Sequence, residues 1–306
     1  MLKFKQGMQS TAFCPAHITG FFKANVSESE PERMGSLGAG FSIRDGVVTT
    51  VHARPSQISH TSITTSGYAG DVRVSESVAK DILQLCARRY HVQIHHEFTV
   101  PVGYGLGASG AAALSLAIAM NRALDLGRKQ SEMGRLAHIA EVRCRTGLGD
   151  VIAAYHGGFE IRTEAGAPGV GILKKAPLKS RVVLIGFSPI STRRFITEQL
   201  DTINGIGGGM VNRLIKTWSS DDFQEMSLEF ARHINVMTPR MSMVAERLRQ
   251  NGIGCGVALF GETLFALVDH IKEQRIMEIM SEYKDAIILR SQVDNLGARL
   301  QERAGR

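Results

Sequence analysis

Between residues 92 and 120 the chain passes from an alternating segment, Val92–Val100, through a glycine-rich turn into a charge-free run, Ala111–Met120. The turn reads PVGYGLGASGAAAL, Pro101 to Leu114. The alternation predicts a strand and the uncharged run the body of a buried helix, which commits this part of the chain to a strand, a tight turn and a helix packed on the sheet. Gly103, Gly105, Gly107 and Gly110 leave backbone N–H groups bare of side chains, and the helix dipole adds partial positive charge at the same point. An anion such as phosphate suits that place. A tight turn whose glycines only allow close helix–sheet packing would have the same composition.

A chain of 306 residues can bury a large core and favours two domains over one. Aromatic residues make up only 6%, which argues against a base-stacking platform for nucleic acid. The net charge of +7 is spread evenly, with 16 basic and 12 acidic residues in 1–150 and 20 and 17 in 151–306. An even excess suits a small anionic substrate better than a polymer, so no nucleic-acid partner is expected. Cys14, Cys86, Cys144 and Cys255 lie far apart, with no metal-knuckle spacing and no disulfide framework, the pattern of a reducing cytoplasm. Met1–Thr11 lacks the apolar core of a signal peptide. The longest uncharged stretch, Phe98–Asn121, is half turn material, too little apolar length to cross a bilayer, so no membrane association is expected.

In chain order, Ala12–Phe22 predicts a strand ending at a turn, and Asn25–Arg33 an exposed loop. Gly35–Ile43 enters a strand, and Asp45-Gly46 before Val47–Val51 signals a hairpin. Ile58–Thr65 is a further β-rich run, and Ser75–Tyr90 has apolar residues at helical spacing. His95 and His96 are adjacent on a predicted strand, point to opposite faces and cannot share one metal ion. Ser131–Arg145 predicts a helix with Ser131 as its N-cap, broken by Gly147-Leu148-Gly149-Asp150, after which come Val151–Tyr155 and a strand, Phe159–Thr163. Glu164–Gly171 is the richest turn composition and predicts the junction between domains 1–168 and 169–306. Beyond it, helices are expected at Ile196–Leu200, Met210–Trp218, Phe223–Ile234 and Pro239–Asn251, with strands at Arg181–Phe187, Val257–Phe260, Leu264–Val268 and Ala286–Leu289. Gly205–Gly209 precedes a helix without the Gly-Lys-Ser/Thr ending of a Walker loop, and reads as a loop or connector.

Phosphoryl transfer needs a phosphate cradle, oxygen ligands for Mg²⁺, a group that orients or deprotonates the nucleophile, and cationic charge. Ser109, at the helix start, can offer its hydroxyl to a hard cation. Glu141 can add a carboxylate, or pair with Arg145 at i+4 on the solvent side. Asp150 sits where the chain turns sharply, as a reactive carboxylate or as an Asx turn or helix cap.

PVGYGLGASGAAAL resembles the second signature of the GHMP kinase superfamily, and Glu141, Gly149-Asp150 and Gly157-Gly158 are similar to its downstream segment. The resemblance implies an α+β fold of two domains. The first would carry the glycine-rich phosphate loop, its buried helix and a left-handed β-α-β crossover, and the second would be a ferredoxin-like α/β domain. It also implies ATP held by Pro101, Gly103, Gly105, Leu106, Gly107, Ala108, Ser109 and Gly110. Mg²⁺ would lie on Ser109 and Glu141, with Asp150 as base. The first signature departs from the family, with Pro15-Ala16-His17 where many members have Pro-Gly-Lys, so His17 stands where a lysine is expected. The third is reduced to Asn251–Gly256. AFCPAHITGFF, GSLGAGF and ALFGETLFAL resemble the archaeal pantoate kinases, and the likeness runs from about Ala12 to about Val268. It implies pantoate as substrate in coenzyme A biosynthesis, and a pocket that includes Arg162, His138, Ser36 and His17. It allows a homodimer.

Overall fold

The computed structural model describes residues 8–190 and 200–301. The first sheet is built on two long strands, β1 (Met8–Asn25) and β2 (Gly35–Pro55), antiparallel along almost their whole length. β3 (His60–Ser66) leads through α1 (Arg73–Gln84) into β4 (Tyr90–Phe98), which pairs parallel to β3 and antiparallel to the second half of β2. The first half of β2 pairs instead with β5 (Phe159–Glu164), and β5 with β6 (Ile172–Ala176). Between β4 and β5 lie α2 (Ala108–Ala123), α3 (Gln130–Cys144) and α4 (Asp150–His156).

The second sheet contains β7 (Arg181–Pro189), β8 (Gly256–Ala258), β9 (Gly261–Val268) and β10 (Ile287–Gln292), in the order β10-β7-β9-β8 with antiparallel pairing throughout. α5 (Leu200–Thr217), α6 (Ser220–His233) and α7 (Pro239–Gln250) connect β7 to β8, and α8 (His270–Met280) connects β9 to β10. Numbered within the sheet, that is the 4-1-3-2 arrangement of a ferredoxin-like βαββαβ unit. The fold is the α+β, two-sheet architecture expected. The chain then returns to the first sheet, where β11 (Arg299–Gln301) pairs with β1.

Several local expectations change. β1 does not end at Gly20 but runs on to Asn25, because Gly20 gives the Phe223 ring the space a Cβ would occupy 2.5 Å from it. Asp45-Gly46 is not a hairpin: β2 runs straight through, and the extra residues form a bulge opposite Pro15/Ala16. The bulge accommodates Pro15, which has no N–H for a regular ladder. Gly205–Gly209 lies inside α5 rather than before it, and a Cβ on Gly207 would stand 2.1 Å from the Phe22 carbonyl oxygen. These glycines serve close packing of a helix on β1. Ser131 is the second residue of α3 rather than its cap; the Glu132 side chain accepts from the Lys129 N–H, 2.8 Å away, at the helix start. Glu164–Gly171 spans the β5–β6 connection of the first sheet, and the change of sheet comes between Ala176 and Arg181. Of the helix expected at Ile196–Leu200, all but Leu200 lies outside the described residues.

Two apolar cores result. One packs Ala12, Cys14, Val47, Val51, Val92 and Ile94 of the sheet against α1, α2 and α3. α2 is apolar on every side and buried on every side, which is why it carries no charge between Ala108 and Asn121. The other core runs without a break from Ile18, Phe21 and Phe41 of the first sheet into Leu184 and Phe265 of the second, around the Phe223 ring. Along β5, Phe159 and Ile161 face that core, so the alternation of the strand turns Glu160 and Arg162 to the other face.

Candidate active site

The glycine-rich turn closes one side of a cavity of about 270 Å³. Gly103, Gly105 and Gly107 all have left-handed backbone, with φ of 88°, 76° and 59°, which L side chains rarely adopt. A Cβ on Gly105 would also lie 2.3 Å from the Leu259 carbonyl oxygen. Gly107 is the N-cap of α2, and no side chain caps that helix. Its first-turn N–H groups therefore open towards the cavity, where Gly103, Gly105, Leu106, Gly107, Ala108, Ser109 and Gly110 all contribute to the wall. Pro101 does not; Val102 does.

α3 and the turn after it make the next wall. The Ser109 hydroxyl donates to Glu141 Oε1, and Thr146 Oγ1 donates to the same oxygen at 2.9 Å. Glu141 does not pair with Arg145, the solvent-side alternative. It is only 2% exposed, and burial pushes its carboxyl up to about 7, although both hydroxyls pull the other way and neighbouring Asp150 pushes it further up. Gly147 permits this crowding, since a Cβ there would meet Glu141 Oε2 at 2.3 Å and Asp150 Oδ2 at 3.2 Å.

Asp150 opens α4 and lines the cavity, its side chain 25% exposed. Behind it, His17 Nδ1 lies 2.9 Å from Asp150 Oδ1, and His17 Nε2 lies 3.0 Å from Glu160 Oε1. Arg162 Nη1 donates to the same Glu160 oxygen. Burial raises the Asp150 pKa, but the His17 hydrogen bond and charge, with Arg162 behind, hold it below the usual carboxylate range. For His17 burial acts downward and is outweighed by Asp150 and Glu160, so its pKa is raised.

Of the expected pocket residues, Ser36 reaches the cavity. His17 and Arg162 are fully buried behind its wall, and His138 is buried against the Met34 carbonyl, 2.9 Å from Nε2. Asn251–Cys255 is the turn after α7 and does not line the cavity; Leu259 and Phe260, from the β8–β9 turn, do. Phe260 meets Phe22 edge-on at 5.7 Å, and with Leu148 they form an apolar wall. Arg73 and Arg145 stand at the rim; Arg73, which is paired with Asp71, was not singled out by sequence. Arg145 held a signal that was read differently, as a basic residue one turn beyond Glu141. Glu160 had none, being one polar residue in a short strand.

Residues 74–158, which carry the glycine turn, Ser109, Glu141 and Asp150, match the family described as GHMP kinases N terminal domain. The pantoate kinase of Methanocaldococcus jannaschii is 31% identical over 284 residues, covering 90% of this chain and 98% of that enzyme. The chain belongs to the pantoate kinase family. A second member, from Thermococcus kodakarensis, is 28% identical over 277 residues, 89% of this chain and 91% of that one. A solved structure described as a phosphotransferase related to the coenzyme A biosynthesis pathway superposes with a TM-score of 0.87 at 26% identity, covering 97% of this chain and 100% of the other. Family membership makes the chain a small-molecule kinase. Among the described residues no helix is long and apolar enough to cross a membrane, and no group of three or more His, Cys, Asp and Glu could hold a metal ion.

Proposed function

We propose that the chain transfers the γ-phosphoryl group of ATP to the 4-hydroxyl of pantoate, the step that makes 4-phosphopantoate for coenzyme A. The observation that carries this is the convergence of Ser109, Glu141 and Asp150 on one cavity beside the uncapped N-terminus of α2. The cradle fits a polyphosphate: it is lined by glycines and by free amides, and a helix dipole points into it. The donor set fits Mg²⁺, since one hydroxyl and one carboxylate are hard oxygen ligands, and Mg²⁺ completes its shell with phosphate oxygens and water. When bound, the ion neutralises charge on the transferring phosphate.

The chain's own residues do the rest. The loop amides hold the phosphates in place. Asp150 accepts the hydrogen bond of the pantoate 4-hydroxyl and takes its proton as the oxygen bonds to phosphorus and the bond to the departing ADP breaks. Arg145 at the rim supplies positive charge. Pantoate needs partners for a carboxylate, a second hydroxyl and two methyl groups. Its carboxylate lies against Ser36, which lines the cavity; Arg162 packs behind Gly149, where a Cβ would sit 2.4 Å from Ser36 Oγ and 2.9 Å from Arg162 Nε, and adds positive charge from behind that wall. The methyl groups lie against Phe22, Leu148 and Phe260.

The test is ADP release by the purified protein with Mg²⁺ and ATP, offered pantoate, mevalonate and homoserine in parallel. Pantoate should be preferred by at least about 100-fold in kcat/KM, because a site built for its polar groups strands them when an analogue binds. Activity on mevalonate or homoserine but not on pantoate would overturn the substrate.

A further inference from the structure

β1, β2 and β5 lie side by side, and their cross-strand pairs put one set of residues on one face. Thr19 is opposite Gly40, and Gly40 is opposite Glu160; His17 is opposite Ser42, and Gly38 is opposite Arg162. Polar side chains are therefore concentrated on a face that is almost wholly buried: His17, Glu160 and Arg162 are each at 0% exposure. Burying charges without partners is costly, so their mutual contacts are obligatory. The contacts form one file: Arg162 donates to Glu160, Glu160 meets His17, and His17 meets Asp150 at the cavity.

The glycines of β2 make the file fit. A Cβ on Gly40 would lie 2.4 Å from His17 Nε2, and one on Gly38 would lie 2.9 Å from Arg162 Nη2. Neither glycine has left-handed backbone, so space and not φ is what they provide. The alternation Gly38-Ala39-Gly40 leaves room for an imidazole and a guanidinium, and for the Phe21 and Ile18 carbonyls of β1, each 2.4 Å from one of the same Cβ positions.

A proton inventory gives the file its meaning. Ionised carboxylates only accept hydrogen bonds, and each imidazole nitrogen meets one. With both carboxylates ionised, both nitrogens donate and the ring is an imidazolium, the Thr19 hydroxyl lying farther from Nδ1 at 3.4 Å. Charges alternate along the file: Arg162 positive, Glu160 negative, His17 positive, Asp150 negative. The charged groups facing His17 come from α4 (Asp150) and β5 (Glu160, Arg162), with Glu141 of α3 beyond Asp150, while β2 faces it with Gly40 and Ser42.

We infer that Glu160 and His17 are positioning residues for the phosphoryl transfer: Glu160, anchored by Arg162, keeps His17 doubly protonated, and His17 fixes the rotamer and the negative charge of Asp150. This rests on Asp150 being the group that receives the hydroxyl proton. The raised pKa of His17 and the lowered pKa of Asp150 agree with it. The file also accounts for a histidine where many relatives of the superfamily have lysine. A lysine would be a point charge on a flexible stem, whereas a planar ring with donors at both ends can join a carboxylate in the cavity to one in the sheet.

Three measurements test it. In the wild-type protein labelled with ¹⁵N-histidine, both His17 ring nitrogens should carry protons at pH 7.5; a neutral ring with one proton would overturn the inference, whatever the substrate. Glu160→Gln should lower kcat about 10- to 100-fold with KM for ATP and pantoate nearly unchanged, by analogy with other outer partners of reactive groups. It should also move the acid limb of kcat upward by about one pH unit, because Asp150 loses its cation. An unmoved acid limb would mean that Glu160 is only structural. His17→Lys, which keeps a cation beside Asp150, should turn over faster than His17→Asn, which keeps polarity and shape without charge; the reverse order would contradict the electrostatic role. If wild-type protein fails to phosphorylate pantoate while the ring is doubly protonated, the substrate reading falls and the ionisation of the file stands.

Discussion

The two walls of the cavity are made from opposite materials. The wall proposed to hold phosphate is backbone: three left-handed glycines, the first-turn amides of α2, and side chains no larger than Ser109 and Leu106. The acceptor wall is a file of buried charge, Arg162–Glu160–His17–Asp150, held by a sheet face cleared of side chains at Gly38 and Gly40. A phosphate brings its own charge, so its seat needs only oriented dipoles. A hydroxyl brings none, and the carboxylate that receives its proton has to be held ionised and aimed by the protein. Glu141 shows what happens to a carboxylate without such a partner: supported by two hydroxyls and no cation, it is pushed up to about 7.

Changes on the two walls should therefore fail differently. The largest effect is expected for Asp150→Asn, which should cost about 10³-fold in kcat while ATP affinity, measured by calorimetry, stays within a few-fold. Comparable loss of ATP binding would mean that the walls are not separable.

Glu141→Gln should lower turnover by about 100-fold by removing the charge offered to Mg²⁺. Its effect on stability should have the opposite sign. The folded protein holds the Glu141 proton up to about pH 7 and the unfolded chain releases it near the ordinary 4.5. Between those values the folded state binds more protons, so metal-free stability falls as pH rises through the window and stays reduced above it. At pH 8 without metal the glutamine variant should be more stable than wild type, by up to about 3 kcal/mol, read from urea midpoints; lower stability there would contradict the unpaired state of this carboxylate.

Gly40→Ala disturbs the acceptor wall without touching a charge. Its methyl would meet the His17 ring and the Ile18 carbonyl, each at 2.4 Å, and should lower kcat about 10-fold with ATP affinity unchanged and the fold kept by circular dichroism, since small misplacements of aimed groups are costly. Full activity would show that this space is not needed. The smallest effect is expected for Phe260→Ala, which should raise KM for pantoate by a few-fold to about 10-fold and leave KM for ATP alone, the loss of part of an apolar contact. An equal change in both KM values would place the nucleotide against that ring.

This difference in materials also decided how much of the site could be read from sequence. The phosphate wall is contiguous, and a strand, a glycine turn and a helix follow one another from Val92 to Met120, so its composition announced it. Glu141 and Asp150 were legible through the likeness of their segment to the family's downstream one; the residues alone left each with a second reading. The acceptor wall draws on residues 17, 38, 40, 150, 160 and 162, brought together by pairing of β2 with both β1 and β5. Nothing local in a six-residue strand marks Glu160 as a partner of His17. The same limit explains the misread glycines. Asp45-Gly46 has hairpin composition but serves a bulge opposite Pro15, and the Gly205–Gly209 run, which looks like a loop, is helix because Gly207 must pass the Phe22 carbonyl. The fold class was legible because periodicity and the signature turn are local; the third glycine segment failed because the cavity takes Leu259 and Phe260 instead.

The most direct test of the whole reading is the phosphorus NMR spectrum of the product formed from ATP and pantoate, recorded with proton coupling. Transfer to the primary 4-hydroxyl predicts a new phosphomonoester signal split into a triplet by two methylene protons, appearing in step with ADP. A doublet, from phosphate on the secondary hydroxyl, would contradict the aim assigned to Asp150, and ADP with free phosphate and no new ester would contradict the kinase reaction itself.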